Sequence, residues 1–329
     1  MARTRPLVRA GLESAVQRLA PPLARVAGYH LGWLDAEGRE TLADGGKALR
    51  PTITLLAGEA VGAPAEDAVP GAVALELVHN FSLIHDDVMD GDAERRHRPT
   101  VWALFGVGEA IVSGDALAAL AYAVLLDVDR PEAHRAAREL SGATLRMIEG
   151  QSQDLAFESR VDVTEQECLE MATNKTGALI SCAAALGAIL GGGAGAQIDA
   201  LRSYGRDVGV AFQAIDDLLG TWGEPEVTGK PSAGDLRQHK KTFPVVHALA
   251  AGGSDARELA EILSDGDTGD AGAVRALELL DRAGSRAWTE SLAERHLRRA
   301  MDALAEADLA KVPVAELGEI ASFAVGRNF

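Results

Sequence analysis

The chain has 329 residues, 47% hydrophobic and 25% charged, a balance that suits one large compact core, or at most two, and excludes disorder. Lys and Arg number 32 against 49 Asp and Glu, a formal charge of −17, so any surface tracking phosphate backbones would be built against the global field, which argues against a nucleic-acid partner. Only Cys168 and Cys182 occur, which excludes a disulfide framework and a cysteine-rich zinc site and points to a reducing cytoplasm.

In chain order, Arg3, Arg5, Arg9, Arg18 and Arg25 interrupt every apolar stretch before it reaches signal-peptide length. The N-terminus therefore reads as a basic amphipathic helix, open to covering a cavity or a dimer interface. In Phe81-Ser-Leu-Ile-His-Asp-Asp-Val-Met-Asp90 an apolar helical run yields three carboxylates. At ~100° per residue Asp86, Asp87 and Asp90 share one face, and like charges so placed call for a cation; hard oxygen ligands suit magnesium. Arg95-Arg96-His97-Arg98 follows as a basic patch where phosphate would lie. Glu76-x-x-His79 and Glu94-x-x-His97 have the spacing of di-iron bundles, but the second lies in a polar, Arg-dense stretch before Pro99, which disfavours that reading.

Leu117, Leu120, Val124 and Leu125 keep helical spacing, and no proline falls between Pro131 and Pro225, which leaves room for several uninterrupted helices. Gly177 to Ala196 carries no charge over the length of a membrane span, but its Ala and Gly content and the Gly191-Gly192-Gly193 break predict a small-residue helix buried in a bundle. Ala211-Phe-Gln-Ala-Ile-Asp-Asp217 repeats the pattern of an aromatic followed by an Asp pair, with Gln213, Asp216 and Asp217 at i, i+3 and i+4. Two such helices facing each other across a cavity would suit magnesium completed by phosphate oxygens, hence a diphosphate substrate. Only six of the basic residues are Lys, and most sit beside Gly, Thr or Pro: Gly-Gly-Lys47, Lys175-Thr-Gly, Gly-Lys230-Pro and Lys240-Lys-Thr, plausible phosphate contacts on tight turns. Ser264 to Gly272 reads as a surface loop. There is no solenoid repeat and no convincing linker, so residues 1–329 read as a single all-α domain.

These residues closely resemble the polyprenyl synthetase family, the trans isoprenyl diphosphate synthases. The matches run from Gly45-Gly-Lys-Ala-Leu-Arg-Pro51 through Glu76-Leu-Val-His79, Asp86-Asp-Val-Met-Asp90, Arg95-Arg96, Pro99-Thr100, Gly114-Asp115 and Gly150-Gln151 with Asp154. They continue through Lys175-Thr-Gly177, Phe212-Gln213 with Asp216-Asp217, Gly229-Lys230, Asp235-Leu236, and Lys240 with Thr242 and Pro244. The resemblance covers roughly residues 45 to 245.

The resemblance implies an isoprenoid synthase helical bundle with a deep central cavity, homodimeric, without a transmembrane segment, holding three magnesium ions around an allylic diphosphate. It makes Asp86, Asp87, Asp90 and Asp216 metal ligands, supported by Asp217. It gives the allylic diphosphate to Arg95, Lys175 with Thr176, Gln213, Lys230 and Lys240, and isopentenyl diphosphate to Gly46, Lys47, Arg50, His79 and Arg96. Asp86, Asp87, Asp90, Lys175, Gln213, Asp216 and Lys230 would carry the catalysis. The implied reaction ionises the allylic diphosphate, condenses the cation with isopentenyl diphosphate and loses a proton, giving a chain one C5 unit longer. A terpene cyclase of the same fold would not need Gly46, Lys47, Arg50 and His79 together, and a non-catalytic partner subunit would be expected to lose metal ligands.

Two positions depart from the family pattern. Gly220 stands where a third aspartate is common, which makes Glu224 a candidate replacement, and His239 replaces the glycine often found before Lys240. Phe81 lies five residues before Asp86 and Ser82 four before. In this family that combination of an aromatic and a small residue implies a gate for a C20 product, geranylgeranyl diphosphate, with C15 as the alternative.

Overall fold

The computed structural model describes residues 3–41, 48–223, 234–264 and 269–326. It is about 79% helical with 2% strand, as the Ala-, Leu- and Glu-rich segments predict. The helices are α1 (Arg5–Val16), α2 (Pro21–His30), α3 (Leu49–Ala60), α4 (Ala65–Met89), α5 (Val101–Phe105), α6 (Val107–Leu126), α7 (Glu132–Glu158), α8 (Glu165–Ala172) and α9 (Ala178–Leu190). Then come α10 (Gly195–Trp222), α11 (Gly234–Arg237), α12 (Phe243–Ala250), α13 (Gly253–Ser264), α14 (Gly269–Arg282), α15 (Ser285–Ala305) and α16 (Lys311–Val325). Two short strands, β1 (Glu94–Arg95) and β2 (Arg98–Pro99), pair antiparallel.

Contacts gather into two compact units, and most of the boundaries fall inside helices rather than at linkers. The first comprises Met1–Gly142, Cys182–Arg202 and Ala307–Leu317. Its core explains the small-residue stretch: from Cys182 to Leu190 every residue is buried. Gly71 of α4 lies against Leu186 and Leu190, and Gly187 lies against the Thr54 carbonyl and Ala57 of α3, so any larger side chain at Gly187 would strike backbone. This helix ends at Leu190, before the triple glycine, as expected. The N-terminal basic helix is part of the same core, with Val8, Leu12, Ala15 and Val16 buried and Gly11 against Val73 of α4. Arg3 ties it to Glu59 and Glu316.

The second unit comprises Ala143–Ser181, Ser203–Glu306 and Gly318–Phe329. One cluster packs Phe157, Cys168 and Met171 against Val210, Ala214, Leu218, Phe243 and Leu292. A second joins Leu236 and Val245 to Leu259, Leu263, Leu279 and Leu280 of α13 and α14. Of the stretch read as a surface loop, Ser264 to Gly272, Ser264 ends α13 and Gly269 onward belongs to α14, while residues 265–268 lie outside the described residues. Gly269 takes a left-handed φ of 54° and Asp270 sits in the first turn, where a carboxylate favours the exposed N–H groups.

Candidate active site

In the first unit, α4 delivers the first acidic cluster. Asp86 and Asp90 are half-buried at i and i+4, with the Asp90 N–H closing the helix on the Asp86 carbonyl at 2.8 Å. Asp87 is only 1% exposed, and its Oδ1 accepts from Arg95 Nε and Nη2, both at 2.7 Å. Its Oδ2 is buried with no hydrogen-bond partner, and burial pushes its pKa above the ordinary aspartate value despite Arg95.

Arg95 reaches back to Asp87 because β1 and β2 form a two-residue hairpin whose central residues, Arg96 (φ 53°) and His97 (φ 59°), are both left-handed. That turn suits glycine or asparagine, so two larger side chains hold it under strain. Arg98 leaves the expected phosphate patch: its guanidinium donates to the carbonyls of Tyr29 and Leu34 and lies over the Tyr29 ring, fixing the hairpin to the end of α2.

On α4, seven residues before Asp86, His79 Nε2 lies 3.2 Å from Arg50 Nη1 of α3. Burial, then Arg50 and Arg96, hold the His79 pKa well below its usual value, so the ring is neutral and offers Nε2 as acceptor. Arg50 Nε is buried without a partner, a donor suited to a diphosphate oxygen. Glu76, half of the di-iron spacing, instead accepts from Asn80 Nδ2 at 3.2 Å, and Glu94 and His97 lie on the hairpin rather than on a helix.

The second unit carries the lysine and the second acidic cluster. Between α8 and α9 the helix widens into one π turn, Thr173–Gly177, a distortion frequent at functional sites. Gly150 of α7 admits this turn, since a side chain there would strike the Lys175 backbone. Lys175 Nζ thereby reaches Asp154 at 2.5 Å. Thr176 Oγ1 donates to Gln213 Oε1 at 2.5 Å, Gln213 Nε2 donates to Asp217 Oδ1 at 2.7 Å, and the Phe243 N–H donates to Asp217 Oδ2 at 2.9 Å. Asp217 is buried, and burial pushes its carboxyl up to about 8; the Phe243 bond opposes this, and Asp235 and Asp216 add to it. Gln213 thus orients Asp217, while Asp216 is the exposed member of the pair.

Gly220 is explained by what fills its place. A side-chain carbon there would lie 2.6 Å from Asp235 Cγ, so the carboxylate of Asp235 takes the space a third aspartate would occupy. Gly220→Asp is therefore expected to lower stability by ~2 kcal/mol through overpacking and like charge, read as a lower midpoint of thermal unfolding. An unchanged midpoint would contradict this packing. His239 adopts a left-handed φ of 57°, so the histidine keeps the backbone that glycine would supply. Gly46, Lys47, Glu224 and Lys230 lie outside the described residues.

Sequence reasoning missed His30 and gave Gln151 no role. His30, at the end of α2, bonds Asn80, and burial together with Arg95, Arg96 and Arg98 holds its pKa down to about 3. No spacing marks it, because its partners are far along the chain. Gln151 belongs to a matched motif, and its buried amide has no partner.

Among the described residues no three His, Cys, Asp or Glu side chains enclose an ion by themselves. Half-buried aspartates with one orphaned carboxylate oxygen nevertheless fit magnesium, which keeps several ligands from water and phosphate.

A profile of the polyprenyl synthetase family matches residues 32–280. The chain belongs to that family. It is 48% identical over 327 residues to (2E,6E)-farnesyl diphosphate synthase of Mycobacterium tuberculosis, covering 98% of this chain and 91% of the relative. The structure of a polyprenyl synthetase from Streptomyces coelicolor A3(2) superposes with a TM-score of 0.94 at 50% identity, covering 99% of this chain and 98% of that one. A geranylgeranyl pyrophosphate synthase from Corynebacterium glutamicum, complexed with isoprenyl diphosphate and magnesium, is 27% identical with a TM-score of 0.85, each chain covered to 98%. The chain is accordingly an all-α trans-prenyltransferase.

Proposed function

We propose that the protein condenses isopentenyl diphosphate with dimethylallyl, geranyl or farnesyl diphosphate and releases a linear C20 diphosphate. The carrying observation is that an acidic cluster and an unsatisfied basic donor occur in the same unit: Asp87 Oδ2 and Arg50 Nε are both buried without partners. Opposite unmet needs on one scaffold suit a magnesium-bearing diphosphate and a second, metal-free one.

Three magnesium ions, when bound, would supply positive charge to the phosphate oxygens of the leaving group. In the first unit Asp86, Asp87 and Asp90 would hold them and in the second Asp216 would, with Asp217 and Gln213 keeping that end of α10 aligned. Arg95, Lys175 with Thr176, Lys230 and Lys240 bind the allylic diphosphate and stabilise the charge that grows as the C–O bond breaks. Gly46, Lys47, Arg50, His79 and Arg96 place isopentenyl diphosphate so that bond formation is effectively intramolecular. Retention of Arg50 and His79 in contact favours elongation over a cyclase.

Phe81 and Ser82 carry the chain-length reading. Phe81 is 8% exposed and packs edge-on against His85, ring centroids 5.5 Å apart, while Ser82 donates to the His79 carbonyl at 2.8 Å and adds little bulk. Phe81→Ala is expected to move the main product beyond C20, measured by chromatography of the dephosphorylated prenols. An unchanged product would place the gate elsewhere. Supplied with labelled isopentenyl diphosphate and each allylic starter, the wild-type protein is expected to accumulate C20; a C15 end product would contradict that length.

A homodimer in the cytoplasm completes the proposal. Of the described helices, α6 alone is long and apolar enough to cross a membrane by length and composition. Its exposed Val107, Ile111 and Val112 suit a second copy of the chain instead. Ile111→Glu is expected to yield monomers by analytical ultracentrifugation, and an unaltered mass would contradict that interface.

A further inference from the structure

The second unit holds a buried ammonium without an assigned task. Lys241 is 2% exposed, and its Nζ donates to two backbone carbonyls, His239 at 2.9 Å and Glu158, the last residue of α7, at 3.4 Å. Burying a lysine costs far more than burying a residue of similar shape such as methionine, so its retention asks for a function. The end of α7 is a reasonable place for it, because the unsatisfied carbonyls of a helix C-terminus carry partial negative charge.

The other carbonyl belongs to a strained turn. The His239 N–H bonds the Leu236 carbonyl at 3.1 Å, and the Lys240 N–H bonds the Asp235 carbonyl at 3.0 Å, the paired bonds of a Schellman motif closing α11. Its left-handed position holds a histidine, at φ 57°, where glycine is preferred. On the far side, the carbonyl of Lys241 accepts from Cys168 Sγ at 3.4 Å, and two residues on the Phe243 N–H holds Asp217. Lys241 therefore fastens to α7 and α8 a segment whose preceding residue is Lys240.

We propose that the buried Lys241 ammonium clamps the left-handed His239 turn and thereby sets the placement of Lys240, making Lys241 a positioning residue for the allylic diphosphate. The inference rests on the assignment of Lys240 to that diphosphate. A methionine at 241 would fill the space but leave two carbonyls unbridged, and the turn would be free to relax. A glycine at 239 would make the left-handed turn intrinsically favourable and remove the need for the clamp.

The test is steady-state kinetics on the full-length protein with magnesium, varying allylic diphosphate at saturating isopentenyl diphosphate, for Lys240→Met, Lys241→Met and Lys241→Met combined with His239→Gly. Lys241→Met is expected to raise the allylic KM about tenfold with kcat changed less than about threefold, the pattern of a lost binding contact. Adding His239→Gly is expected to bring KM back to near the wild-type value. If Lys241→Met does not fold, Lys241→Gln, which keeps a donor for one carbonyl, replaces it in both arms with the same expectations. An unchanged KM in the Lys241 variant, or a raised KM that His239→Gly fails to restore, overturns the clamp. If Lys240→Met itself leaves the allylic KM unchanged, the assignment of Lys240 fails and the clamp falls with it; a raised KM for Lys240→Met beside a normal Lys241 variant overturns the clamp alone.

Discussion

Asp86→Asn is expected to lower kcat/KM by about three orders of magnitude while leaving the fold intact. Asparagine matches aspartate in shape and Asp86 is half-buried near the end of α4, so the helix itself is expected to stay formed. What is lost is a hard anionic ligand where charge must be balanced as diphosphate departs, and metal stabilisation of such a transition state is worth several kcal/mol. Asp87→Asn is a different experiment: it removes the charge that strengthens the two bonds holding Arg95 and so loosens the hairpin as well. The check is kcat/KM at saturating magnesium beside far-ultraviolet circular dichroism. A loss under tenfold, with unchanged magnesium dependence, would remove Asp86 from the metal set.

The largest expected effect on stability lies far from the chemistry in sequence. His296→Leu is expected to destabilise the protein by ~3 kcal/mol at neutral pH, because it leaves a buried carboxylate with only a half-exposed arginine as its partner. His296 Nδ1 and Asp207 Oδ1 are 2.7 Å apart, with side chains 8% and 5% exposed, and Arg206 Nη2 reaches the other oxygen at 3.1 Å. Burial alone would raise the Asp207 pKa, but the bonds from His296 and Arg206 outweigh it and hold the carboxyl below the ordinary aspartate value. A group whose native pKa is depressed contributes stability above its unfolded pKa and loses it as the pH falls through the native value. The gap between wild type and variant should therefore be full at pH 6 to 7 and close as the solution is taken below about pH 4. Denaturant unfolding across that range checks it; a gap that widens in acid would contradict the sign.

The sequence exposed what is local. Asp86, Asp87 and Asp90 on one helix face, Gln213, Asp216 and Asp217 on another, the glycine break after Leu190 and the small-residue helix before it all follow from helical spacing and propensity. Pairings across long stretches of chain stayed hidden. Nothing in Arg95-Arg96-His97-Arg98 says that Arg95 turns back to Asp87 while Arg98 serves the carbonyls of Tyr29 and Leu34, since a left-handed turn decides it. The gap at Gly220 read as a missing ligand, but Asp235 fills it from a later helix. His239 read as a departure that put its loop in doubt, and the structure keeps the turn with a histidine in the position that favours glycine. His30 gave no signal, because its neutrality arises from burial and from three arginines more than sixty residues away.

The most direct measurement is incubation of the purified protein with farnesyl or geranyl diphosphate, with and without isopentenyl diphosphate and with and without magnesium, followed by extraction and product analysis. Linear prenyl diphosphates longer than the starter, formed only when isopentenyl diphosphate and magnesium are both present, are the predicted result. Cyclic hydrocarbons or alcohols formed without isopentenyl diphosphate would contradict it and reassign Arg50 and His79 to a task other than binding a second substrate.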